Sequence, residues 1–214
     1  MTNEHPVYPR ARFWNKIARN YASRPVEDQA AYEHKLAVTR GYLTPEMRLL
    51  EIGCGTGATA LIHAPHVAHI DAIDFSSEMI SIARGKAADQ GIENVNFAVS
   101  TLDTWPKVPE IGPYDAILAM SVLHLMEDLD LTLMRIRQHL SPGGLFFSST
   151  VCLADMGWMT KYVLPIAAKL PVLPYLNAFS ADELEQRMRA AGFDIEQRWQ
   201  PAPKKAVFMV ARAR

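Results

Sequence analysis

With 214 residues, 49% of them hydrophobic and 21% charged, the chain is long enough to bury a sheet between two helical layers in one α/β domain. A formal net charge of −1 with His neutral argues against a broad nucleic-acid-binding face, which needs clustered Lys and Arg. No stretch approaches about 20 uninterrupted apolar residues, so no helix is expected to span a bilayer. Residues 1–10, interrupted by Pro6 and Pro9, lack the apolar centre of a signal peptide. A cytoplasmic location is expected, with Cys54 and Cys152 read as small buried residues rather than halves of a disulfide.

Residues 12–39 are mostly helical in pattern, with Phe13, Trp14, Ile17, Ala18 and Tyr21 recurring at offsets of three and four. Ser23-Arg24-Pro25 breaks the pattern, and a second helix is expected over 27–41. Two helices ahead of the first strand do not belong to the sheet and are expected as a lid over its ligand end. The stretch from Leu49 to Ala60 then runs from an apolar strand through Glu51 to Gly53, Gly55 and Gly57, and into small residues of a helix over 56–64. That reads as strand, tight loop, helix. Such glycines take positive φ and let a ligand approach the backbone, while the helix start offers free N–H groups. The glycines alone leave the ligand open, because Gly53, Gly55 and Ala58 also satisfy the dinucleotide pattern G-x-G-x-x-A. Glu51 points the other way: a carboxylate two residues ahead of the first glycine suits a cation better than a diphosphate.

A second strand, 69–74, ends in Asp74, 21 residues beyond Gly53, where a carboxylate can accept from two ribose hydroxyls. Ser76 is a good cap for a helix over 77–90, with Gly91 as its stop. Strands are expected at 95–99 and 114–119, followed by a helix at 129–140. Ser141-Pro142-Gly143-Gly144 then reads as a tight turn into a fifth strand at 145–151. Residues 152–179 are apolar, with Met156, Trp158, Met159, Tyr162 and Tyr175 and only Asp155, Lys161 and Lys169 charged. They read as a substrate cap; a hairpin packed for stability alone and a transient membrane-surface contact stay open. Ser180 and Glu183 form a capping box for a helix to 191. Strands at 193–199 and 206–213 leave no room for a crossover and must be antiparallel. His63, His66 and His69 lie at helical spacing without carboxylate or thiol ligands at suitable offsets, so surface or helix-end histidines are expected there and no metal site.

The run E-x-G-x-G-x-G at Glu51 to Gly57, the D-x-S-x-x-M segment at Asp74 to Met79, the Tyr114-Asp115-Ala116-Ile117 strand, the Leu123-His124 pair and the Pro142-Gly143-Gly144 turn together resemble the class I S-adenosylmethionine-dependent methyltransferases of small-molecule type. The resemblance covers residues 49–151 by motif and the rest by element order. It implies a Rossmann-like, mostly parallel seven-stranded sheet of order 3-2-1-4-5-7-6 with helices on both faces. A single domain is expected, with lid helices in 1–44, a cofactor-binding core in 45–151, a helical cap in 152–179, and a last helix and hairpin in 180–214. The implied cofactor is S-adenosylmethionine, released as S-adenosylhomocysteine. Glu51, Gly53, Gly55, Gly57 and the backbone at Ala119 and Met120 would hold its amino-acid end, Asp74 the ribose, and Phe75, Met79 and Leu102 the adenine. Thr101 stands where the family commonly has an acid at the end of the third strand, so a hydroxyl would replace a carboxylate there. Tyr21 would cover the methionine part or simply pack the lid. His124 would be a catalytic base, or a hydrogen-bonded structural histidine. The expected acceptor is a small hydrophobic or aromatic molecule, with no nucleic-acid partner. Two rivals remain from the residues themselves: a nicotinamide-dependent oxidoreductase using the same glycines, and a non-catalytic S-adenosylmethionine-binding regulator.

Overall fold

The computed structural model describes residues 11–157, 160 and 175–214. The stretch 1–10 and most of the expected cap, 158–159 and 161–174, lie outside the described residues. Seven strands form one sheet of order β3-β2-β1-β4-β5-β7-β6, and the chain divides into two compact units, Met1–Trp105 and Pro106–Arg214.

The first unit holds β1 (Arg48–Ile52), β2 (His69–Asp74) and β3 (Val95–Val99). They run parallel, with Glu51 opposite Ala72 and Asp74 opposite Val99. Leu49, Leu50, Ile52, Ile70, Ala72 and Ile73 are all buried, as expected of strands covered on both faces, which carry continuous apolar runs rather than alternation. Helix α3 (Ala58–His63) starts two residues later than its composition suggested and passes into a 3₁₀ turn, Ala64–His66, because Gly57 at φ 77° still belongs to the loop. Helix α4 (Ser77–Gln90) has both expected ends: Ser76 Oγ accepts from Met79 N, and Gly91 closes it at φ 64°. Ahead of the sheet lie α1 (Ala11–Ser23) and α2 (Gln29–Arg40). The second begins at 29 rather than 27, since Asp28 supplies the cap by accepting from Ala31 N at 3.0 Å. Helix α1 packs on α4, pinned where the Ser76 hydroxyl donates to Asn15 Oδ1 at 2.6 Å.

The second unit contains α5 (Val108–Ile111), β4 (Tyr114–Met120), α6 (Leu129–His139), β5 (Leu140–Thr150), α7 (Ala181–Ala190), β6 (Phe193–Trp199) and β7 (Val207–Ala213). The one-turn helix α5 was not anticipated, its four residues being too short for a periodic signal. Another correction concerns Ser141 to Gly144, expected as a turn ahead of the fifth strand. Leu140 already pairs with Tyr114, and the register shifts before Ala116 meets Leu145, so the Pro-Gly-Gly segment is an irregularity inside β5, with Gly143 at φ 76°. β5 and β6 both pair antiparallel with β7, the β6–β7 pairing as its short connection requires. The capping box of α7 is complete: Ser180 Oγ accepts from Glu183 N at 3.1 Å, and Ser180 N donates to Glu183 Oε2 at 2.7 Å. Phe146, Phe147, Phe193 and Phe208 are fully buried, with the Phe146 and Phe193 rings 5.4 Å apart. No helix among the described residues is long and apolar enough to cross a membrane.

Candidate functional site

The first unit gathers most of the expected site residues around the loop after β1. Gly53, Gly55 and Gly57 all take positive φ, at 63°, 54° and 77°. Their surroundings differ. A Cβ on Gly55 would meet nothing nearer than the Tyr21 ring at 3.9 Å, whereas one on Gly57 would lie 2.7 Å from Phe97 and 2.9 Å from Ala83. Gly55 therefore leaves a cradle open, and Gly57 lets α4 and β3 close on the loop. The loop is held by Asp74: its Oδ2 accepts from Gly55 N at 3.0 Å and its Oδ1 from Ser76 N at 2.8 Å. Each carboxylate oxygen keeps a second lone pair, so two acceptor positions remain for a vicinal diol. Burial pushes the Asp74 carboxyl up, and the two backbone N–H groups pull it back.

Glu51 is 3% exposed, and its Oε2 has no hydrogen-bond partner among the described residues. Burial raises its carboxyl to about 8, partly offset by the Ala60 N–H and reinforced by the nearby Asp74. Desolvation penalises the anion there, so a cation set against this carboxyl would favour its ionised form. An unpartnered buried carboxyl oxygen fits a cationic group that arrives with its own hydrogen-bond donors. Cys54, in the same loop, is buried, and its thiol is raised well above its ordinary value by burial and then by Glu51 and Asp74.

Tyr21 is 46% exposed, and its ring lies against Gly55. Its phenol is raised by burial of its inner part and by Asp74 and Glu51. Tyr32, which sequence reasoning passed over, lies on the first turn of α2. Its hydroxyl hydrogen-bonds with Thr59, and its pKa is raised by burial, Glu51 and Tyr21. Only the fold brings it there; one tyrosine in a helix gives no local signal. Lys86, also missed, donates from Nζ to Thr56 Oγ1 at 3.0 Å. Met79 is buried and Phe75 half-buried. Beyond β3, the Thr101 hydroxyl is already engaged with Thr104 Oγ1 at 3.2 Å, and Leu102 is buried beside it.

The remaining site residues belong to the second unit. Ala119 and Met120 end β4, and the next residue, Ser121, takes φ 61° while its N–H donates to Ser149 O at 2.7 Å. A left-handed non-glycine there costs about 1 kcal/mol, and it turns the chain sharply off the strand. His124 sits in the 3₁₀ turn Leu123–Leu125. Its Nδ1 lies 3.0 Å from Thr150 Oγ1, and its backbone oxygen accepts from Asn177 N at 2.8 Å. Burial lowers its pKa to about 4, so the imidazole is neutral at physiological pH.

His63 ends α3 and His66 ends the 3₁₀ turn, as the helix-end reading of the triplet expected. His63 is fully buried, with neither ring nitrogen partnered among the described residues, because α3 presses that face inward; burial, Arg40 and His66 lower its pKa to about 4. His69 Nε2 lies 3.3 Å from Asp71. Among the described residues no group of three or more His, Cys, Asp or Glu is placed to hold a metal ion.

A family model described as a methyltransferase domain matches residues 25–198. A ubiquinone biosynthesis O-methyltransferase of Xylella fastidiosa is 31% identical over 157 residues, which are 70% of this chain and 61% of that protein. A highly reducing polyketide synthase, lcsB, of Purpureocillium lilacinum is 28% identical over 185 residues, 78% of this chain but 7% of that protein. The chain thus spans 61% of the first of these curated relatives and 7% of the second. Among solved structures, DhpI in complex with SAH superposes with a TM-score of 0.73 at 20% identity, covering 96% of this chain and 95% of that one. At that identity the likeness speaks for the fold.

Proposed function

Because the chain belongs to the class I S-adenosylmethionine-dependent methyltransferases, with S-adenosylmethionine as methyl donor and S-adenosylhomocysteine as product, we propose that it methylates a small hydrophobic or aromatic molecule. The observation that carries the donor site is Glu51, a buried carboxyl with an unpartnered oxygen beside a glycine cradle. The acceptor class is supported by the apolar make-up of residues 152–179 and by a relative named for ubiquinone biosynthesis. When bound, the cofactor supplies an electrophilic methyl group on a sulfonium. In this reading Glu51 pairs with its ammonium group, Asp74 accepts from the ribose hydroxyls, and Phe75, Met79 and Leu102 pack the adenine with Thr101 at its edge. Tyr21 covers the methionine part, Gly53 and Gly55 let it approach the backbone, Gly57 keeps the loop in shape, and Ala119 and Met120 offer carbonyls. Such chemistry needs positioning and exclusion of water more than covalent help. The test is transfer of labelled methyl to a panel of phenols, quinols and lipids; labelling of protein or RNA alone would overturn the acceptor class.

Affinity for S-adenosylhomocysteine is expected to rise with pH. Below about 8 Glu51 carries a proton before ligand binds, and pairing with an ammonium releases it, so affinity climbs by up to about tenfold per pH unit as the pH rises toward 8. The climb levels off near 8, where Glu51 is already ionised without ligand. Calorimetry in buffers of different ionisation enthalpy measures the released proton, and Glu51→Gln should remove both the release and the slope below about 8.

His124, held by Thr150, is the group we assign to the acceptor's proton. Replacing it with alanine should lower kcat about a hundredfold and leave S-adenosylhomocysteine affinity within about twofold. Only the neutral imidazole accepts a proton, so kcat at saturating S-adenosylmethionine should persist on acidification until the pH falls through about 4. A kcat loss of less than about threefold would remove the base role.

A further inference from the structure

The chain leaves β4 through Ser121, a non-glycine residue at φ 61°, and such a backbone persists only where its surroundings over-determine it. The single 3₁₀ turn that follows closes two bonds of its own, from Leu125 N to Val122 O at 2.9 Å and from Met126 N to Leu123 O at 3.1 Å. So short a turn leaves the carbonyls at its far end open. Two of them are taken by one residue, 51 positions beyond Met126. Asn177 donates from its backbone N to His124 O at 2.8 Å and from its side-chain Nδ2 to Met126 O at 3.1 Å. A carbonyl only accepts, so the amide end that faces Met126 is the NH₂. We propose that Asn177 is a positioning residue for methyl transfer: it holds this turn so that the His124 ring stays on Thr150 and meets the acceptor in one orientation. The proposal rests on the reading of His124 as the group that takes the acceptor's proton.

Asn177 is itself well fixed. Phe179 is buried and its carbonyl accepts from Ala154 N at 3.2 Å, while Ala181 N donates to Asp155 Oδ2 at 2.9 Å. These bonds tie residues 177–181 to the 3₁₀ turn Leu153–Met156, just past the end of β5. The last residue of β5 is Thr150, whose Oγ1 lies 3.0 Å from His124 Nδ1. Ring and backbone of His124 are therefore both referred to the end of β5, the ring directly and the backbone through Asn177. Nε2 has no partner among the described residues, which leaves it for the acceptor. A neutral imidazole carries its proton on one nitrogen, and the hydrogen bond at the other end of the ring decides which. A drift of the turn by about 1 Å would break the Thr150 bond and misplace Nε2, and misplacements of that size cost up to roughly a hundredfold in rate.

Nitrogen NMR of the histidine rings tests the hold without any acceptor, the His124 signals being those lost in His124→Ala. At neutral pH the wild-type ring is expected to give two well-separated nitrogen signals, those of a single tautomer. Asn177→Leu keeps the backbone N–H and removes the side-chain donor, so the two signals should move toward each other as the tautomers mix. The same substitution should lower kcat about tenfold on the fastest-methylated phenol or quinol of the labelled-methyl panel. Affinity for S-adenosylhomocysteine should stay within about twofold, which also shows that the variant is folded; Asn177→Ala is measured beside it as a second variant. Added to His124→Ala, Asn177→Leu should change kcat less than about twofold, since a residue that acts through another adds nothing once the other is gone. Unchanged ring signals, or equal kcat losses with and without His124, would overturn the assignment of Asn177. If His124→Ala alone kept kcat within about threefold, the base reading would fall instead, and the ring signals would still decide whether Asn177 holds the turn.

Discussion

Asp74→Ala is expected to reduce affinity for S-adenosylhomocysteine more than about a hundredfold, the largest single loss at the site. Three effects converge on one side chain. Its oxygens accept the backbone N–H groups of Gly55 and Ser76, and leaving a buried donor unpaired costs roughly 1–3 kcal/mol each. Without that clamp the glycine loop loses its shape, and the Ser76 end of α4 loses an anchor. The ribose hydroxyls lose a charged acceptor as well, and hydrogen bonds to charged groups are worth about 1.5–3 kcal/mol. Asp74→Asn separates the effects, because its amide oxygen still accepts one backbone N–H while the charge is gone. It should retain most of the stability in urea titrations and little of the binding in calorimetry. Binding by Asp74→Ala within tenfold of wild type would mean that the ribose is held elsewhere.

The largest stability loss is expected from Gly57→Ala, about 2–4 kcal/mol. At φ 77° an alanine costs roughly 1–2 kcal/mol, and its methyl would sit 2.7 Å from the Phe97 ring and 2.9 Å from Ala83 Cβ. Both neighbours are buried and have nowhere to go, so overpacking adds about 1–3 kcal/mol. For a chain of this size the melting temperature should fall by roughly 5–15 °C. Gly55→Ala is the contrasting case, with comparable backbone strain but open space in front of it. It should cost only the strain in a thermal melt and show its main effect on cofactor affinity. Equal melting of Gly57→Ala and wild type would refute the packing account.

The two glycines also mark where sequence reasoning stops. Their common role as positive-φ residues was legible from alternate spacing after an apolar run. Which one faces a ligand and which faces Phe97 was not, because Phe97 enters from a strand 40 residues later. Glu51 divides in the same manner. Its position ahead of the loop suggested a cation site, but its protonation depends on burial, and no local pattern reports the dielectric. His63 was read as a surface or helix-end residue from its spacing; it does end α3, but packing buried it. The bounds of β2, β3 and α4 followed directly from composition, since their signals are local: apolar runs for the strands, Ser76 and Gly91 for the helix. The start of β5 did not, because Leu140 is drawn into the sheet by Tyr114, a partner 26 positions earlier.

By itself the sequence determined the kind and order of the elements, the loop with its acid and glycines, and the family. Those features are written in neighbouring residues, through backbone preference, caps and hydrophobic runs. Tertiary structure alone decided that Asp74 clamps Gly55, that Thr150 holds His124, and that burial pushes the Glu51 carboxyl up to about 8. Each of these depends on distance and burial between parts of the chain far apart in sequence, and both arise only when the chain has packed.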